Sequence, residues 1–200
     1  MMHQSLSFVF IFFSSVLFAQ TDSLLSDFDY QVAEVLGDLN KDSLPDKVVV
    51  EQDTTAFTWP YRIQVFFGQP NGSFQLIALS EQLIAAQYPD GRDGFLEGGG
   101  FSEVTITNGL LSVNYGLLRG HYEHEFRFQN NHLELVGFKS GGVNAGKVEV
   151  IDFNLYSGVR SKQVYHISID KPFLNFTEKV IIRPLPRFED VIPFTEKWSY

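Results

Sequence analysis

"EVTITNGLLSVNYGLL", residues 103 to 118, decides the fold class of this chain. Two runs of alternating apolar and polar side chains flank Asn108-Gly109, and such a pair suits a tight hairpin turn because both of its positions take φ > 0. Just downstream, "HYEHEFRFQ" turns Tyr122, His124, Phe126 and Phe128 one way and His121, Glu123, Glu125 and Arg127 the other, as a half-buried antiparallel strand does. "QNNH" and "YSGV" read as further turns. Residues 102 to 170 therefore predict a meander of about five strands.

Working outward, "YRIQVFFG" places Tyr61, Ile63, Val65 and Phe67 on one face, and further strands are expected near 31–36, 46–52 and 73–79. Between the halves lies "YPDGRDGFLEGGGF", whose five glycines and one proline rule out a regular element and predict a long loop. The end, "IIRPLPRFEDVIPFTEKWSY", carries three prolines and should wrap over the domain as irregular structure. The expectation is one all-β domain over residues 20–200, an antiparallel meander of propeller-like or sandwich-like form.

The first residues set the address. "MMHQSLSFVFIFFSSVLFAQ" has an apolar, uncharged stretch from Leu6 to Phe18, shorter than the ~20 residues of a membrane crossing. Residues 1–19 therefore read as a signal peptide, and the mature chain, with no later apolar span, as exported to the periplasm or beyond. The formal charge of -9 argues against a nucleic-acid partner. With 44% hydrophobic residues and 20 Phe, the chain has the means to build a core. It has no cysteine, so thiol catalysis, Cys-ligated zinc and disulfides are all excluded. A bound metal could supply the missing restraint.

"GDLNKDSLPDKVVV", residues 37 to 50, is where such a metal would sit. Counting from Asp38, oxygen side chains fall at positions 1, 3, 5 and 9, namely Asp38, Asn40, Asp42 and Asp46, with the Leu44 carbonyl at position 7. Calcium takes six to eight hard oxygens at ~2.3–2.6 Å, and short polar side chains at alternate positions let a tight loop wrap one ion. Without a cation the crowded carboxylates repel one another. An acidic turn bonding its own backbone is the competing reading. The loop is no EF-hand, because Val49 stands where the bidentate Glu is needed and the chain continues as β-branched strand rather than helix.

The stretch resembles the Asp-x-Asn-x-Asp-Gly-x-x-Asp loop of FG-GAP and VCBS-type repeats, known best from β-propeller blades, where the loop leads into a strand. That resemblance implies structural calcium held by Asp38, Asn40, Asp42, Asp46 and the carbonyl of Leu44. Ser43 stands where the family has Gly, a position that often needs φ > 0, so strain or weaker binding is expected there. A looser, architecture-level resemblance is to periplasmic lysozyme-inhibitor and immunity-type β proteins. It implies a binding module, such as an inhibitor of an envelope-directed enzyme, with a protein or glycan partner. The cysteine-free chain and its leader ending "LFAQ" are also similar to exported proteins of Gram-negative bacteria.

Other motifs carry less. "GGVNAGKV" (141 to 148) matches part of a phosphate-binding loop, but Val148 replaces the Ser or Thr and a strand follows, so a glycine-rich turn is expected. His121 and His124 point to opposite faces of one strand and cannot easily share zinc; His132 and His166 add no motif. No Gly-x-Ser-x-Gly elbow exists, and the catalytic residues of any enzyme are unknown. The alternative function is a secreted glycosidase-like hydrolase, with carboxylates such as Glu97, Glu103 and Asp152 converging near the glycine-rich loop 90–101. Trp59, Tyr61, Trp198 and Tyr200 could stack on its sugar, although aromatics at strand spacing are commonly core.

Overall fold

The computed structural model describes residues 27–92, 100–169 and 171–193. The leader at 1–19, Glu97 with most of the glycine-rich loop, and Trp198 and Tyr200 lie outside the described residues. The first sheet holds β1 (Tyr30–Gly37), β2 (Asp46–Gln52), β3 (Tyr61–Gly68) and β4 (Phe74–Ser80), antiparallel and in chain order. The second holds β5 (Gly100–Thr107), β6 (Leu110–Leu117), β7 (Gly120–Gln129), β8 (His132–Asn144), β9 (Lys147–Asn154), β10 (Val159–His166) and β11 (Leu174–Lys179). It too is antiparallel with each strand beside its sequence neighbour. Neither sheet closes on itself, so the architecture is sandwich-like.

Alternation explains the core. Tyr61, Ile63, Val65 and Phe67 are buried along β3, and Tyr122, His124 and Phe126 along β7. The two inner faces share one cluster, in which Val48, Val50 and Ile63 of the first sheet join Leu111, Val113, Phe126 and Phe153 of the second. The Phe67 and Phe128 rings meet edge to face at 4.7 Å across the sheets. Truncating Phe126 or Phe153 to Ala would cost about 3–5 kcal/mol, as for other large core aromatics. At the junction Gly37 lies so close to β5 that an added Cβ would stand 2.4 Å from Ile106 Cγ2.

Between Gly100 and His166 there are six strands rather than about five. The reversal that none of the named turns covers falls at Leu118-Arg119, between β6 and β7; within "GGVNAGKV", Gly141 and Gly142 belong to β8 and the turn falls on Ala145 and Gly146, at φ 48° and 76°. Gly120 is needed for close approach, since a Cβ there would stand 2.2 Å from the Gly141 carbonyl oxygen on β8. The Asn108-Gly109 hairpin takes φ 54° and 75°, as its residues predict. As far as residue 193 the proline-rich end is irregular apart from one 3-10 turn (Phe188–Asp190), yet it does more than wrap. Leu185, Phe188 and Val191 are buried, and the Leu135 N–H donates to the Pro186 carbonyl at 2.8 Å. The tail thus completes the core beside β8.

Candidate functional site: an acidic loop at the junction of the two sheets

Residues 38–45 connect β1 to β2 on the same edge of the molecule as the β5–β6 hairpin. A Cβ added to Gly109 would meet Lys41 Cε at 3.1 Å and the carbonyl oxygens of Asp38 and Leu39 at 3.7 and 3.8 Å. Leu39 is buried and pins the loop to the core. Around that anchor the side chains fold onto their own backbone. Asp38 accepts the N–H groups of Lys41 (2.6 Å) and Ser43 (3.0 Å). Asn40 accepts from the Asp42 N–H at 3.0 Å and donates its amide to Asp42 Oδ2 at 2.9 Å, while Asp42 Oδ1 accepts from the Leu44 N–H at 2.8 Å. Lys41 and Ser43 pass through the left-handed region at φ 66° and 70°. Ser43, the position for which a glycine-like conformation was expected, therefore does take φ > 0.

Asp46 differs from the others. It is fully buried, its Oδ2 accepting from Leu39 (2.7 Å) and Asn40 (3.4 Å) and its Oδ1 from Gly68 (3.0 Å) at the end of β3. Gly68 allows that approach, because a Cβ there would come within 2.3 Å of the Pro45 carbonyl oxygen. Burial pushes the Asp46 carboxyl above its ordinary range against the pull of the three N–H groups, and the negative charge of Asp42 adds to the rise. The single carboxylate clamps the loop, β2 and β3 together.

The structure thus brings Asp38, Asn40, Asp42, Leu44 and Asp46 into one loop, and their hard oxygens suit calcium chemically. Each carboxylate oxygen that accepts one N–H retains a further lone pair. Among the described residues no three Asp, Glu or His side chains stand close enough together to hold a metal by themselves. A cation here would rest on the Asn40 amide and the Leu44 carbonyl as well as on carboxylates. A shallow groove lined by Leu36, Gly37, Asp38, Ser43, Leu44 and Pro45 opens beside the loop.

The other candidates separate. Glu103 on β5 and Asp152 on β9 stand four strands apart, ~19 Å at the usual strand spacing, too far for a catalytic pair. His121 is exposed, while His124 is buried among Tyr115, Tyr122, Phe126 and Phe138. Tyr61 faces the core and offers no ring to a sugar. Trp59 has the Arg92 guanidinium over its ring, 4.7 Å from the centroid, and forms a T-shaped pair with Tyr88 at 5.2 Å.

A second acidic turn carries no motif in the sequence. Asp53 accepts from Thr55 N–H (2.8 Å), Thr55 hydroxyl (2.6 Å) and Ala56 N–H (3.0 Å). Asp29 reaches across to accept from the Thr54 N–H and hydroxyl, both at 2.7 Å. Only the Asp-Thr-Thr run at 53–55 hints at it, as a side-chain-capped turn. Compared with protein-family models, with curated proteins and with solved structures, the chain finds no match.

Proposed function

We propose that this chain is an exported, non-catalytic binding module in which calcium closes the loop 38–46. The observation that carries the reading is the loop's own chemistry: three carboxylates, one amide and one carbonyl gathered within nine residues, with Asp42 acting on Asp46 as a like charge. A divalent cation would turn that repulsion into attraction. Asp38, Asn40, Asp42 and the Leu44 carbonyl would hold it from the exposed side and Asp46 from within, pinning β2 to β3. Export rests on the leader at 1–19. The recognised partner is a protein or glycan rather than a nucleic acid, in keeping with the charge of -9.

Thermal melting in calcium and in EGTA tests this. Calcium at a hundred times its Kd should stabilise the fold by about 2.7 kcal/mol, through binding the folded state alone. Asp42→Ala should still melt cooperatively but lose the shift. An identical melt of the native chain in calcium and EGTA overturns the metal reading.

A further inference from the structure

Three turns lie side by side at one end of the seven-stranded sheet: 117–120 between β6 and β7, 144–147 between β8 and β9, and 166–173 between β10 and β11. Hydrogen bonds join them. The Val143 N–H donates to the Arg119 carbonyl at 2.8 Å, and the Ile167 N–H to the Gly146 carbonyl at 2.9 Å. Turn tips ordinarily carry Gly, Asn, Asp, Ser or Pro, which serve the backbone and face water without cost. Here Leu118 and Ile167 occupy the tips, 74% and 66% exposed, with Leu117, Ile169 and Phe173 also open to solvent.

The charges at this end run against those of the whole chain. Arg119, Lys147 and Lys171 are exposed, and the described residues of the three turns include no Asp or Glu; Asp170 is the one acid in their sequence. None of these three cations forms an ion pair among the described residues. On the sheet faces the pattern is the opposite, where Arg62, Lys139, Arg160 and Lys162 each bind a glutamate. Lys147 instead sits 5.6 Å from the centre of the Phe173 ring, which packs at 4.7 Å on His166. A chain of charge -9 thus presents one edge that is locally basic and apolar.

We propose that this end of the seven-stranded sheet docks on an anionic lipid surface. The tips project in a row that spans about four strand spacings, ~20 Å, and a row of projecting apolar side chains fits a planar interface. Leu118, Ile167, Ile169 and Phe173 enter the boundary between headgroups and acyl chains. Arg119, Lys147 and Lys171 remain at the depth of the lipid phosphates, which supply charge partners that the described residues do not.

Flotation of the chain from Gln20 onward, which contains every described element, with phosphatidylglycerol–phosphatidylcholine vesicles and with pure phosphatidylcholine vesicles tests the proposal. Binding is expected to the anionic vesicles and to weaken at high salt. Arg119→Ala with Lys147→Ala should weaken it more than tenfold, at roughly fivefold per basic residue. Leu118→Ser with Ile167→Ser should also weaken it more than tenfold, with an unchanged circular dichroism spectrum. Tyr156→Ser, an exposed aromatic at the opposite end of the sheet, should leave binding intact. Three outcomes overturn the proposal: no flotation with anionic vesicles, flotation that survives the Leu118/Ile167 change, or a vesicle-indifferent protein whose Leu118/Ile167 variant loses a dimer.

Discussion

The two acidic turns of the first sheet do the same local job with opposite electrostatic results. In both, aspartate oxygens accept backbone N–H groups that no strand satisfies, which is the usual way such turns are closed. Asp29 and Asp53 are held below their ordinary range, Asp29 chiefly by the Thr54 N–H and Asp53 chiefly by the Thr55 hydroxyl. Asp46 accepts three N–H groups, but burial outweighs them and its carboxyl rises. Hydrogen bonding alone therefore does not set the sign of a carboxyl's shift. The depth at which the turn is tethered does.

The comparison breaks most visibly at Asp46. Asp46→Ala would leave the N–H groups of Leu39 and Gly68 buried without an acceptor and should destabilise the fold by about 3 kcal/mol, read as a drop in urea midpoint. Asp53→Ala, whose accepted hydrogen bonds are only partly buried, should lower the urea midpoint by less. If the two losses are equal, depth is not what distinguishes the turns.

Stability against pH sharpens the same contrast. Asp29 and Asp53 have lowered folded values, so their contribution is present above the ordinary value of 3.8 and is lost as pH falls through the folded value. Asp46 has a raised folded value, so the folded state holds the proton more tightly and its contribution declines as pH rises from 3.8 through the folded value. Denaturation between pH 3 and 7 should show Asp53→Asn flattening the acid-side loss and Asp46→Asn flattening the decline on the other side. The smallest expected effect is Ser43→Gly, which relieves a side chain at φ 70° and should stabilise by about 0.5–1 kcal/mol.

Much of this was legible in the residues. The Asn108-Gly109 turn, the faces of β3 and β7 and the acidic spacing at 38–46 are all local patterns, and local sterics enforce them. The second acidic turn was not legible, because Asp29 meets Thr54 only when β1 lies beside β2, 25 residues along the chain. Nor was the part played by Gly120, whose close neighbour Gly141 belongs to another strand.

By itself, the sequence determined that this is a β protein, where most of its hairpins reverse, and that one loop concentrates side-chain oxygens, since alternation and turn chemistry act over a few residues. Tertiary structure alone decided that the strands divide into sheets of four and seven, that Asp46 is a buried clamp rather than a surface acid, and that three distant turns line up as one basic, apolar edge. Those outcomes depend on which surfaces leave water together, and burial is a property of the packed chain rather than of any short stretch within it.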